Sequence, residues 1–168
     1  MGYTTDFKGQ FAVSPPLKPE HVAYINAFSG TRRMKRDGRK ATALPDPVRL
    51  AAGLPVGPSG SYFVGGVGFA GQDHDNSVLE HNTPPSTQPS LWCQWKATED
   101  GTAIEWDGGE KFYEYIEWIC YLVHHFFAPW GYTLNGEVRW QGESDDDKGK
   151  IIITNNVVTT KNGRVVYT

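Results

Sequence analysis

Apolar and polar residues alternate in several separate segments of the chain. Residues Thr4 to Val13 alternate with a period of two and predict a strand that ends at Pro15-Pro16. Residues 91–96 and 102–106 flank an Asp-Gly pair, a strong turn signal between apolar segments, and they predict a β-hairpin. Further strands are predicted at residues 132–141, 150–154, 157–160 and 164–167.

Two other segments follow the helical period of about 3.6 residues. The first begins at Pro19, which suits the first turn of a helix, and ends at Gly30. The second is predicted to begin at Asp107, capped by this residue together with Glu110, and to end at Pro129. The residues that this second helix is predicted to bury are Phe112, Tyr115, Ile116, Ile119, Leu122, Val123 and Phe126.

This order of strands and helices predicts an α+β fold. We expect a single domain over residues 1–168, with a mostly antiparallel curved sheet and two helices packed on one face. Residues 31–60 are basic and then rich in proline and glycine. They predict a long surface excursion with one short helical turn near residues 48–52.

Composition limits the cellular location and the classes of binding partner that we expect. The formal net charge of -3 gives no overall attraction for a nucleic-acid polymer, which is not expected as a partner. Cys93 and Cys120 do not form a disulfide framework. Because the N-terminus has no secretory pattern and no apolar run is long enough to span a bilayer, we predict a cytoplasmic protein without membrane contact.

The residues best suited to ligand binding are concentrated between Tyr62 and Asp107. Glycines let the backbone approach a ligand closely, indole faces stack on flat rings, and charged groups fix orientation. With the basic run Thr31–Arg36, this segment predicts a pocket for a flat, polar ligand. The predicted ligand-binding residues are Arg32, Arg33, Gly66, Gly68, Gly71, Gln72, Asp73, His74, Trp92, Trp95, Glu105 and Trp106.

The basic run has two interpretations. Runs of charge usually lie in water, which favours a solvated loop. In the alternative, Arg32 and Arg33 bind the phosphates of a ligand whose base stacks on Trp92, Trp95 or Trp106.

Catalytic chemistry has less support from the sequence. Gly66-x-Gly68-x-x-Gly71 has the spacing of dinucleotide sites, but the residues after it form a poor helix. The catalytic candidates are His74, His81, Asp73 and Asp75, as a His/Asp acid-base pair acting on a nucleotide or phosphate compound. Their spacing fits neither zinc nor calcium, so no metal ion or cofactor is expected and a non-enzymatic role is favoured.

The second predicted helix carries Trp118 and Tyr121 on its more polar face. Internal cover by residues 31–60 is the favoured explanation, because aromatic residues more often pack than bind. The alternative is a protein-interaction module, such as an immunity or inhibitor protein, that presents both residues on its surface.

Several motifs resemble an uncharacterised family of small bacterial and phage proteins. They are Gly2-Tyr-Thr-Thr-Asp-Phe-Lys-Gly9, Phe69-Ala-Gly-Gln-Asp-His-Asp75, Gln88-Pro-Ser-Leu-Trp-Cys-Gln-Trp95, Glu105-Trp-Asp-Gly-Gly-Glu-Lys-Phe-Tyr113 and Gly131-Tyr-Thr-Leu-Asn-Gly-Glu-Val138. The resemblance covers most of the chain and implies a bacterial or phage setting, without a catalytic residue. A phage setting favours counter-defence, such as the capture of a signalling nucleotide.

These observations together predict a non-catalytic binding protein for a small polar ligand, with a nucleotide signal as one candidate, or for a protein partner. A small enzyme and a pure interaction module remain the alternatives.

Overall fold

The computed structural model describes residues 2–65 and 75–163. The chain divides into two compact units, and each is described by itself. The sheet unit contains residues 2–17 and 94–163, and the helical unit contains residues 18–65 and 75–93. The prediction that the chain forms a single domain stays a prediction. In the part of the chain so described, no helix has the length and apolar character needed to cross a membrane.

The described elements alternate between strands and short helices. The strands are β1 (Asp6–Ser14), β2 (Lys35–Arg36), β3 (Val78–Glu80), β4 (Trp95–Ala97), β5 (Ala103–Trp106), β6 (Thr133–Gln141), β7 (Lys148–Thr154) and β8 (Val157–Asn162). The helices are α1 (Pro19–Ser29), α2 (Gly38–Thr42), α3 (Pro47–Ala51) and α4 (Tyr115–Leu122). The predicted α+β class is confirmed.

The sheet unit is built on a six-stranded antiparallel sheet in the order β4-β5-β1-β6-β7-β8. The predicted hairpin across the Asp-Gly turn forms, and Gly101 in that turn has a φ of +72°. Because β4 is an edge strand, this hairpin lies at one side of the sheet and not at its centre. The centre is the β1–β6 pair, which joins nine residues of each strand.

Glycines allow β1 and β6 to approach closely. A Cβ atom on Gly9 would lie 2.6 Å from the carbonyl oxygen of Glu137, and one on Gly136 would lie 2.9 Å from that of Gln10. Both glycines have positive φ, +106° and +140° respectively. Each glycine occupies the fourth position of its strand, and the residues after it have the same pattern of burial in both strands. The two central strands therefore depart from regular strand geometry at matching positions.

Turns of the expected chemistry connect the last strands. Asn155 and Asn156 have φ values of +47° and +70°, the left-handed pair that joins β7 to β8. The further strand predicted at residues 164–167 lies outside the described residues.

The second predicted helix begins later than expected. Its regular part starts at Tyr115 and is followed by a wider turn over residues 123–127, while the Asp107 side chain accepts a hydrogen bond from Gly109 N at 2.8 Å in a local turn. The prediction that Asp107 caps this helix is therefore wrong. Glu114, which precedes the helix, has a φ of +58° and interrupts any helical path from further upstream.

Aromatic contacts join α4 to the buried side of the sheet. The ring of Phe7 lies 4.9 Å from that of Tyr115 and 5.5 Å from that of Trp95, and the Trp95 Nε1 donates to the carbonyl oxygen of Tyr115 at 2.9 Å. Helix α1 belongs to the helical unit, so its predicted packing on the sheet stays a prediction.

In the helical unit, α1 buries Tyr24, Ile25 and Phe28 and contacts α3. Residues 31–60 form β2, α2, α3 and a short 3-10 turn, and many of their side chains are buried. The prediction that this segment is a long surface excursion is therefore wrong. Its buried polar residues are Thr31, Arg33, Arg36, Asp46 and Arg49.

We predict that Gly136→Ala destabilises the sheet unit strongly. The substitution adds a strained φ, which costs about 1 kcal/mol, and a clash with the β1 backbone, which costs about 1–3 kcal/mol more. Gly131→Ala is the matched control, because Gly131 has a φ of +92° but no atom within 4 Å of the added Cβ. Equal losses of unfolding free energy in urea titrations of the two variants would contradict the close approach of β1 and β6.

Candidate functional site

The two arginines predicted to bind ligand contact the protein itself. Arg33 is 2% exposed, and its Nη2 donates to the carbonyl oxygens of Ser61 at 2.8 Å and Phe63 at 2.9 Å. Arg32 donates from Nε to the carbonyl oxygen of His81 at 3.0 Å and from Nη2 to Asn82 Oδ1 at 2.9 Å. The structure thus brings Arg32 and His81 together, but through a backbone carbonyl. For Arg33 the solvated-loop interpretation is wrong.

A second arginine of the basic run is also buried. Arg36 is 2% exposed, donates to Asp75 Oδ2 at 2.9 Å and to Ser77 Oγ at 2.7 Å, and lies 4.3 Å above the ring of Phe63. Burial alone would raise the pKa of Asp75, but hydrogen bonds from Ser77 and Arg36 outweigh it and lower that pKa. Asp75 is therefore held as a paired carboxylate, a poor proton acceptor near neutral pH.

Asp46 and Arg49 form another buried ion pair in the helical unit. Arg49 Nε donates to Asp46 Oδ2 at 2.6 Å, and the same carboxylate accepts from Val64 N at 3.4 Å. Burial raises the pKa of Asp46, although the interaction with Arg49 opposes this effect. Asp46 thus accepts a hydrogen bond from Val64, just before the glycine-rich segment, and Asp75, just after that segment, is paired with Arg36.

Half of the predicted ligand site cannot be placed. Gly66, Gly68, Gly71, Gln72, Asp73 and His74 lie outside the described residues. The His/Asp acid-base pair is therefore described only at Asp75 and His81. Within residues 2–65 and 75–163, no three His, Cys, Asp or Glu residues form a cluster that could hold a metal ion.

The predicted stacking residues differ in their surroundings. Trp95 is fully buried, with Phe11 and Phe112 rings at 5.6 and 5.3 Å, so its predicted role as a stacking surface is wrong. Trp106 is partly exposed and opposes Trp95 in the hairpin register, and its Nε1 donates to Gln94 Oε1 at 3.2 Å. Trp92 precedes β4 and belongs to the helical unit.

The remaining candidates have structural explanations. Glu105 opposes Lys96 on the β4–β5 hairpin, an opposite-charge pairing that stabilises a sheet. Trp118 is 0% exposed and Tyr121 is 6% exposed, so neither is an open contact surface. Their cover by residues 31–60, and an interaction module as the function, stay predictions.

A row of four cationic residues crosses the exposed face of the sheet. Lys8 on β1 opposes Arg139 on β6, Arg139 opposes Lys150 on β7, and Lys150 opposes Lys161 on β8. Residues directly opposite in an antiparallel sheet point to the same face. We call these four residues the cationic row. With strands about 4.8 Å apart, the row extends about 14 Å across the sheet.

The cationic row is exposed and carries little compensating charge. Lys8, Arg139 and Lys161 are exposed, and Lys150 retains 40% of its side-chain exposure. Lys150 Nζ lies 3.4 Å from Glu137 Oε2, and that carboxylate is 48% exposed. Like charges placed directly opposite on a sheet are destabilising. This arrangement therefore costs stability unless an anion binds to it.

A groove of about 780 Å³ lies along the cationic row. Its lining includes all four cations, together with Lys148 and Asp6. The outward positions that flank the row are occupied by Asp6, Gln10, Glu137, Gln141, Lys148, Ile152 and Thr159. None of these flanking residues is aromatic, and Trp140, which contributes to the lining, is only 6% exposed, so this groove offers charge and hydrogen bonds and little aromatic surface for stacking.

The sequence contains no local signal for the cationic row. Its members lie on four strands, and their alignment depends on three separate strand registers. The one signal available was a cation at an outward position of each strand, with Lys148 and Lys150 two residues apart. The chain matches no protein-family model, and it is similar to no curated protein and no solved structure.

We predict that Asp75→Asn lowers the free energy of unfolding by about 1–3 kcal/mol at pH 7, because the buried Arg36 loses its charged partner. Because the pKa of Asp75 is lower in the folded protein, this residue stabilises the fold at pH values above 3.8, the ordinary pKa of aspartate. The contribution is lost as the pH falls below that value. The variant should therefore show a weaker loss of stability below about pH 4. Urea titrations across this range measure both effects.

Asp146→Asn, in the exposed loop before β7, is the control for the Asp75 variant. It should change the unfolding free energy by less than about 0.5 kcal/mol. A loss as small in Asp75→Asn would show that the ion pair with Arg36 does not stabilise the helical unit.

We also predict that Arg139→Gln stabilises the protein. Arg139 has a cation opposite it on both sides, so its removal should raise the unfolding free energy by about 0.2–1 kcal/mol at low salt. The gain should shrink at high salt, because ions screen the repulsion. Lys96→Gln should show no such gain, since Lys96 opposes Glu105. A destabilised Arg139→Gln would show that the row is compensated in the free protein.

Proposed function

We propose that this protein is a non-catalytic binding protein for a small, phosphate-bearing ligand of the nucleotide class, and that the cationic row binds the ligand's phosphates. The observation that carries the proposal is the alignment of Lys8, Arg139, Lys150 and Lys161 along one groove. Phosphate oxygens accept charge-assisted hydrogen bonds from lysine and arginine, which are stronger than those between neutral groups.

The chemistry of the groove supports binding without turnover. The residues of the cationic row and its outward neighbours include no histidine, cysteine or tyrosine. Asp6 is the carboxylate in the lining of the groove, and Glu137 is engaged as the ion-pair partner of Lys150. Lysine and arginine side chains stabilise bound anions without themselves transferring a proton at neutral pH.

This ligand site differs from the one predicted from the sequence, in which Arg32 and Arg33 bind the phosphates. Arg33 and Arg36 are buried against Phe28 and Phe63 and donate to the protein's own carbonyl, hydroxyl and carboxylate groups. The side chains of the cationic row are exposed to solvent, where a ligand can reach their ammonium and guanidinium groups. In the enzyme alternative, His74 or His81 acts with Asp73 or Asp75, but the described carboxylate, Asp75, is engaged by Arg36 and Ser77.

Calorimetric titration with ATP and with inorganic tripolyphosphate tests the proposal. Both ligands should bind to the native protein, and Lys8→Gln/Arg139→Gln should weaken each at least tenfold, because two of four cations are lost. Lys96→Gln/Lys111→Gln removes the same charge from the same unit outside the row and should leave the affinities within about twofold. Equal weakening by both double variants would refute a localised site.

Glu137→Gln provides a test in the opposite direction. It releases Lys150 from its ion pair, so the affinity for tripolyphosphate should increase about two- to fivefold. A gain of affinity does not arise from misfolding, which makes this variant independent of the double substitutions. No heat signal with either phosphate ligand would reject the proposed function, and phosphate release from ATP would convert it to the enzyme alternative.

A further inference from the structure

The cationic row is longer than a single nucleotide's phosphate chain requires. Four cations follow one another across β1, β6, β7 and β8, one on each strand. Their spacing of about 4.8 Å gives a line of about 14 Å between the first and the last. The linked phosphates of one nucleoside triphosphate are more compact than this line, so the outer cations could contact them only by bending inward, at a cost in side-chain freedom.

A short single strand of nucleic acid fits the length of the row. Successive phosphates of one strand lie about 6 Å apart along the backbone, which is more than the rise of about 3.4 Å per nucleotide along the axis, so the row of about 14 Å faces three phosphates and the long side chains at its ends can reach a fourth. Lysine and arginine side chains are long and flexible enough to adapt between the two spacings. The charge complementarity therefore extends along the whole line and not only at one point.

The groove also indicates which part of the strand is contacted. Its flanking positions carry Gln10, Gln141, Ile152 and Thr159 next to charged residues, and none of these is aromatic. Trp140 contributes to the lining, but it is only 6% exposed and its Nε1 donates to Asp147 Oδ1 at 3.1 Å, so it presents no open ring face. Proteins that hold single strands by their bases use aromatic platforms. Contact through phosphates alone positions a strand but carries no sequence information.

We infer that the ligand of the cationic row is a short single-stranded oligonucleotide of four or more nucleotides, bound through its backbone and without base preference. This inference rests on the proposed function, which requires only that phosphates bind at the row. The overall charge of -3 does not oppose it, because a local line of cations faces the strand at distances shorter than the screening length.

Fluorescence anisotropy with labelled thymidine oligonucleotides of two, four, six and ten residues tests the inference. Affinity should rise at least tenfold from two to six residues and then level off, as the row becomes filled. Adenosine oligonucleotides of equal length should bind within threefold. The slope of log affinity against log salt should be about -3 for four contacts, and Arg139→Gln/Lys161→Gln should reduce it to about -1.4.

The outcomes separate the inference from the proposed function. ATP binding as tightly as the six-residue oligonucleotide, with both weakened by Lys8→Gln/Arg139→Gln, would overturn the inference and leave the proposed function standing. Binding of neither ligand would overturn both. Inorganic polyphosphate of matched charge that binds tenfold more tightly than the oligonucleotide would assign the row to that polymer instead. A tenfold base preference would contradict contact through the backbone alone.

Two controls guard against unfolded variants and unspecific charge effects. Arg139→Gln/Lys161→Gln should melt no lower than the native protein, because both changes remove repulsion within the row. Lys96→Gln/Lys111→Gln should keep the native salt slope. If this control double variant lost as much oligonucleotide affinity as Arg139→Gln/Lys161→Gln, binding would be diffuse and the inference would fail.

Discussion

The close pairing of β1 with β6 is the constraint on which the sheet unit depends. Gly9 and Gly136 let the two backbones approach to distances that a Cβ atom would not tolerate. The same register directs Phe7, Phe11 and Val138 into the core and places Lys8 opposite Arg139 on the exposed face. A slip of one residue would exchange the two faces, burying cations and exposing aromatic rings. The core and the cationic row are therefore specified by one set of contacts.

The helical unit uses its charged residues for a different purpose. Arg33, Arg36 and Arg49 are buried, and each donates to carbonyl or carboxylate oxygens within the unit. Removing one partner of such a contact leaves a charge in a poorly solvated place, which costs more than the contact itself contributes. The densest run of basic residues in the sequence therefore serves the fold, while cations far apart in sequence form the exposed row.

Local chemistry explains which elements could be predicted from the sequence. The hairpins follow from Asp-Gly and Asn-Asn pairs, in which Gly101, Asn155 and Asn156 adopt the left-handed conformations that tight turns need. The helix start could not be predicted, because Asp107 caps a local turn as readily as a helix and nothing nearby in sequence distinguishes them. The buried positions of Arg33 and Trp95 depend on partners from distant segments, which periodicity does not identify.

The cationic row shows why the site was the hardest feature to predict. Its residues belong to three pairings that only the folded sheet brings into line, so no window of sequence contains the pattern. The cost in stability of placing like charges opposite one another is a better indicator of this site than any sequence pattern. A sheet of this kind could place opposite charges or neutral residues across from one another and gain stability. Here Glu137 pairs with Lys150, and four further cations line the same groove with Asp6 as the carboxylate of that lining. That uncompensated cost on an exposed face is the physical basis on which we propose an anionic ligand.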